Sequence, residues 1–167
     1  MKATIYWIDG PWPGRLSVLA RPRGGEWLEE EVRSWRAQGI FVAVSLISTD
    51  EVSELNLSEE KDACSENGID VITFPIADRD VPDSKQATLD LVRRLETRLV
   101  DGKSVGIHCR QAIGRSAIIA VCLLALGGVE IKDGFERVRT ARGCSVPDTA
   151  EQREWVEQFA QDLLAAH

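Results

Sequence analysis

A thiol, an arginine five intervening residues later and a hydroxyl directly after it lie in one short stretch, His108-Cys109-Arg110-Gln111-Ala112-Ile113-Gly114-Arg115-Ser116. Before it, residues 103–107 read as a short buried strand. After it, the apolar run from Ala117 to Leu126 reads as a helix. Cys109 therefore sits on a strand-to-helix loop, where the unpartnered N–H groups of the first helical turn and the positive end of the helix dipole favour an anion. Thiols in such places are acidified, into a range of roughly 3.5–7.5, so that thiolate is the working form at neutral pH. Arg115 adds a planar fork of donors that matches two oxygens of a phosphate at once.

A Cys–His hydrolase is the other chemistry a cysteine suggests. Neighbouring residues at a strand end point to opposite faces, so His108 is poorly placed to reach the Cys109 thiol. The remaining histidine, His167, is the last residue of the sequence. With no base to hand, a thiolate made by dipole and arginine is the better account. His108 is expected to order the loop through hydrogen bonds to its backbone.

The spacing of Cys109 and Arg115, with His108 in front, Gly114-Arg115-Ser116 behind and a strand and helix on either side, resembles the signature of the cysteine-dependent protein tyrosine phosphatase superfamily, in its compact dual-specificity form. The resemblance implies that Cys109 attacks phosphorus to give a cysteinyl-phosphate. The backbone of Arg110, Gln111, Ala112, Ile113 and Gly114, together with Arg115, would hold the equatorial oxygens, and the Ser116 hydroxyl would support the sulfur as a leaving group.

The same resemblance implies a general acid about thirty residues before the cysteine. Asp78, 31 residues before Cys109, is the first choice. Asp80 is the second, standing where relatives often carry glycine, and the choice between the two is open. Asp83 is third, since Asp83-Ser84 also reads as a helix N-cap. Gln152, in the segment Pro147-Asp148-Thr149-Ala150-Glu151-Gln152, matches the glutamine that orients the hydrolytic water in relatives. Its alternative is an ordinary first-turn helix residue. Many relatives carry Ala-Gly where this loop has Gln111-Ala112, and a side chain at Ala112 restricts the backbone.

These residues need a scaffold. The 167-residue chain is long enough for one real core, and 44% hydrophobic with 28% charged residues describes an ordinary globular protein. A single catalytic domain over residues 1–167 is expected. Strands are read at residues 4–8, 16–20, 40–47 and 69–76, in addition to 103–107. Helices are read at residues 27–38, after Ser48-Thr49-Asp50, from Ser58 to Asn67-Gly68, from Asp83-Ser84 to about Val100, at 131–141 and from Thr149 to Leu164. Trp27 and Trp35 are assigned to the core. The alternation predicts an α/β fold, a mostly parallel sheet with helices on both faces, whose site lies at the carboxyl ends of the strands.

A net charge of −7 argues against nucleic acid or an anionic membrane as partner. Attraction for a phosphate must then be local, from Arg110, Arg115 and Arg79. The longest apolar run is about half of a bilayer span and no signal peptide is evident, so a cytoplasmic monomer is expected. Cys64, Cys122 and Cys144 show no disulfide or zinc spacing, and no metal or cofactor is called for. Cys122 reads as core, whereas Cys64 or Cys144 could trap an oxidised Cys109.

The expected activity is hydrolysis of phosphomonoesters: phosphotyrosine in a protein first, with phosphoserine and phosphothreonine included. A small metabolite or nucleotide phosphomonoester is the alternative substrate, and a slow-turnover phosphoprotein-binding module the alternative class. The loop lacks the lysines of phosphoinositide phosphatases.

Overall fold

A computed structural model describes residues 2–166. Among these residues, five strands form one sheet in the order β1-β2-β5-β3-β4. They are β1 Ile5–Ile8, β2 Leu16–Leu19, β3 Ile40–Ser45, β4 Asp70–Thr73 and β5 Ser104–His108. β1 is antiparallel to β2, and every other pairing is parallel. The reason is in the connections: Gly10-Pro11-Trp12-Pro13-Gly14 is a short turn that can only reverse the chain, while each later strand is reached through a helical crossover. The expected fold class is borne out.

The helices are α1 Leu28–Ala37, α2 Thr49–Glu54, α3 Glu60–Glu66, α4 Lys85–Val100, α5 Arg115–Leu126, α6 Ile131–Arg142 and α7 Ala150–Ala165. Alternation along the strands sends side chains to two separate cores. On β3, Val42 and Val44 join Val105, Ile107 and the buried faces of α4 to α7, whereas Ala43 joins Leu28, Val32, Trp35 and Cys64 of α1 and α3, and an irregularity in the pairing between Ile40 and Val42 breaks the alternation and brings Ile40 to that second side as well. The helices thus cover both faces of the sheet. α5, buried along residues 115–124, lies against α4, α6 and α7. That burial explains why its sequence is apolar all round rather than amphipathic.

Some boundaries moved. β4 ends at Thr73, although the amides of Phe74 and Ile76 still donate to the carbonyls of Ser45 and Leu46 at 2.9 Å. The hydrogen-bonded path thus runs on to the root of the Asp78 loop. α5 opens at Arg115, so the arginine is already helical. Ser84, not Asp83, caps α4, its hydroxyl accepting from the Ala87 amide at 3.0 Å. Trp35 is fully buried as expected. Trp27 is not: it is 46% exposed with the Arg23 guanidinium over its ring. Among the described residues, no helix is long and apolar enough to cross a membrane.

Candidate active site

The loop from Cys109 to Gly114 leaves the carboxyl end of β5 and enters α5. Cys109 and Ala112 are buried, Gln111 is exposed, and Arg110 and Ile113 are half-buried. Among the described residues, no acceptor takes the amide N–H groups of Arg110 to Gly114. Buried or half-buried backbone donors of this kind require a partner, and an anion over the N-terminus of α5 supplies one. Ala112 adopts φ 59°, the left-handed conformation that a glycine takes without strain. The departure from glycine noted in the sequence therefore falls on the one loop residue where glycine would be easiest.

Arg142, on the last turn of α6, fixes this shape. Its Nε donates to the Ala112 carbonyl at 3.1 Å and an Nη to the Gln111 carbonyl at 3.2 Å, with the guanidinium stacked over Tyr6. Turning these carbonyls outward leaves the amides facing inward. On the other side of the loop, a Cβ at Gly114 would collide with the Asp148 carboxylate and come within 2.9 Å of Gln152 Nε2. Gly114 is needed for this close approach, not for its backbone angle.

Arg115 is 2% exposed, and its guanidinium is held rigidly. Glu51 accepts from both Nη atoms, at 2.6 and 2.9 Å, the Ile76 carbonyl accepts at 2.8 Å, and Asp78 Oδ1 accepts from Nη2 at 3.1 Å. Burial by itself would lower the Arg115 pKa. The Glu51 hydrogen bonds and the charges of Cys109, Glu51 and Asp78 outweigh it and raise the pKa, so the cation is secure. Burial also pushes Glu51 towards neutrality. The Arg115 hydrogen bonds and the Ser48 contacts win, and its pKa falls to about 2.

Glu51 is the functional residue that sequence reading missed. It occupies the N3 position of a capping box with Ser48 at the start of α2, and that role accounts for a glutamate there without any partner across the fold. The usable signal is positional: α2 follows β3, the strand beside β5, so its first turn stands at the same end of the sheet as Cys109. Arg110 is drawn to this helix too, pairing with Glu54 at 3.3 Å and lying 3.7 Å from Glu51.

His108 differs from expectation. Among the described residues its ring does not bond the loop backbone: Nε2 shares a hydrogen bond with Glu60 of α3 at 2.5 Å, and Nδ1 is buried without a partner. A ring turned toward the α1 and α3 side meets a carboxylate before it meets the loop. Among the described residues the buried Ser116 hydroxyl has no hydrogen-bond partner, Cys109 included.

Asp78 is half exposed and touches Arg115. Asp80 points back on its own loop, its carboxylate accepting from the Val81 amide at 2.8 Å. Asp83 is exposed. Gln152 is fully buried. It completes a capping box with Thr149 and donates from Nε2 to the Asp80 carbonyl at 3.0 Å, which ties α7 to the loop that carries Asp78. All four cysteines are free thiols. Cys64 lies in the core on the opposite face of the sheet from Cys109, and burial raises its pKa to about 12, which removes it as a trap for an oxidised Cys109. Burial raises Cys122 further still, as a core thiol.

The family model for cyclin-dependent kinase inhibitor 3 (CDKN3) matches residues 24–133, from just before α1 into α6 and through the whole loop. The chain belongs to the CDKN3 family. Human cyclin-dependent kinase inhibitor 3 is 30% identical over 140 residues, covering 83% of this chain and 64% of that protein, so the chain spans about two thirds of the length of the curated relatives it matches. The crystal structure of kinase associated phosphatase, with its catalytic-site cysteine substituted by serine, superposes with a TM-score of 0.88 at 23% identity, over 100% of this chain and 98% of that one. Tk-PTP in its active form gives 0.78 at 28% identity, over 96% and 99%. These similarities bear out the resemblance to the cysteine-dependent phosphatases of compact dual-specificity type.

Proposed function

We propose that this chain is a phosphatase, a single catalytic domain that hydrolyses phosphomonoesters through a cysteinyl-phosphate. The observation that carries the reading is the pairing of Cys109 with five unclaimed loop amides and an Arg115 fixed by Glu51. The Cys109 thiolate attacks phosphorus while the ester oxygen departs with a proton from the Asp78 carboxyl. A water then attacks the cysteinyl-phosphate, gives its proton to the Asp78 carboxylate, and orthophosphate leaves as the thiolate is restored. The amides and the Arg115 fork hold the equatorial oxygens throughout and bind best when charge builds on them. The contact of Asp78 with the same guanidinium supports its assignment as the acid.

A phosphorylated protein is the favoured substrate, with phosphotyrosine first. The relatives' link with kinases, carried in their names, points the same way. A small phosphomonoester is the second substrate class. The test is hydrolysis of 4-nitrophenyl phosphate and of phosphopeptides, in the presence of a chelator, by the wild type and by Cys109→Ser. Turnover by the wild type that vanishes in the variant is expected. Steady turnover by Cys109→Ser would overturn the covalent route, and an inactive wild type the enzyme itself.

A further inference from the structure

The turn that carries Asp78 closes with the Asp80 amide donating to the Ala77 carbonyl at 3.0 Å. Its third residue, Arg79, has φ 61°. Turns with a positive φ at this position select glycine, because a Cβ is strained there. Here the strained position holds the longest cation available. Arg79 is exposed and, among the described residues, makes no hydrogen bond or ion pair.

That isolation is unusual for this neighbourhood. Arg110 pairs with Glu51 and Glu54, Arg115 with Glu51 and Asp78, and Arg142 with the loop carbonyls. The carboxylates on either side of Arg79 are committed elsewhere, Asp78 to Arg115 and Asp80 to the Val81 amide. Asp83 and Asp148 form no ion pair with it. Nor is the turn loose: Gln152 holds the Asp80 carbonyl, and Pro82 is buried. A fixed turn thus projects an unpaired guanidinium one residue from Asp78, which itself bonds Arg115.

We propose that Arg79 forms a second anion subsite beside the phosphate loop, taking a carboxylate or phosphate carried by the residue that flanks the phosphorylated one. The inference rests on the phosphatase reading. Consecutive residues of an extended peptide are about 3.4 Å apart, so a flanking group falls within the sweep of a long side chain rooted next to the acid. The guanidinium fork suits both anions.

The test measures binding of three phosphotyrosyl peptides to Cys109→Ser, with Glu, phosphoserine or Ser in the flanking positions, by calorimetry at low salt. The Glu peptide is expected to bind about three- to fivefold tighter than the Ser peptide, and the phosphoserine peptide at least as tightly. The preference should shrink at 0.5 M salt, roughly, as an exposed pair does. Adding Arg79→Ala or Arg79→Gly should remove it. Arg79→Gly relieves the strained angle, so an unchanged or raised melting temperature separates loss of the subsite from loss of the fold. A preference for phosphoserine alone assigns the subsite to a second phosphate. Equal affinity for all three peptides, including no binding of any, or a preference that survives both substitutions, overturns the proposal. Wild-type turnover of 4-nitrophenyl phosphate judges the phosphatase reading separately.

Discussion

Glu51 grips both terminal nitrogens of Arg115, Oε1 on Nη1 at 2.6 Å and Oε2 on Nη2 at 2.9 Å. Both residues are buried, and they come from different βα connections, one after β3 and one after β5. Removing one partner of a buried pair leaves the other charge stranded, at a cost of about 3–5 kcal/mol. Glu51→Ala should therefore lower the urea midpoint by a corresponding amount and depress kcat by at least tenfold. Glu51→Gln, which keeps the shape, should lie between it and the wild type.

The same pair makes a pH prediction. The Glu51 pKa is about 2 in the fold against an ordinary 4.5. Between these values the unfolded chain binds a proton that the native state refuses, so stability falls as pH falls. The contribution is complete above about pH 4.5 and worth about 3 kcal/mol. Urea melts between pH 6 and 3 should show a steeper acid loss for the wild type than for Glu51→Gln. Equal slopes would mean that Glu51 is not the linked group.

Arg115→Lys keeps the charge and loses the fork. With Glu51, Ile76 and Asp78 all fitted to a planar guanidinium, a lysine ammonium cannot satisfy them and a phosphate together. A fall in kcat of about 10²–10³, the scale of one lost anion-hole donor, is expected in steady-state assays with 4-nitrophenyl phosphate.

Asp78→Ala should slow alkyl phosphates and phosphoserine peptides far more than 4-nitrophenyl phosphate, whose leaving group needs little help. Asp80→Ala should not discriminate between them, because its carboxylate is spent on the Val81 amide. Reversal of the two patterns would transfer the acid role to Asp80.

Ala112→Gly removes a strained left-handed alanine at φ 59°. Relief of roughly 1–2 kcal/mol outweighs the greater freedom of glycine in the unfolded chain, roughly 0.5–1 kcal/mol. A modest rise in melting temperature is expected. Arg142→Gln frees the Gln111 and Ala112 carbonyls and should raise KM for phosphate esters with little change in the melting temperature.

Cys109, Arg115, the strand before them and the apolar helix after them are legible along the chain because their relation is local: one loop and one helix N-terminus make the proposed anion site. Sheet class and the two covering layers are legible too, since hydrophobic period reports which faces are buried. Trp27 shows the limit of that signal. It sits at helical spacing with Val32 and Trp35, yet lies before the first turn of α1 and faces solvent.

What the tertiary structure alone decided is the set of partners brought in from elsewhere. Glu51 lies 64 residues from Arg115, Glu60 lies 48 from His108, Asp80 lies 72 from Gln152, and Arg142 lies 30 from Ala112. Each has a sufficient local reading as cap, helix surface or turn, so sequence pattern alone gives no reason to look further. A parallel sheet gathers the carboxyl ends of β3, β4 and β5 at one edge, and only there do these side chains meet. The residue types dictated the chemistry available at Cys109. Packing across those strand ends determined which charges hold Arg115 in place and left Arg79 unpaired among the described residues.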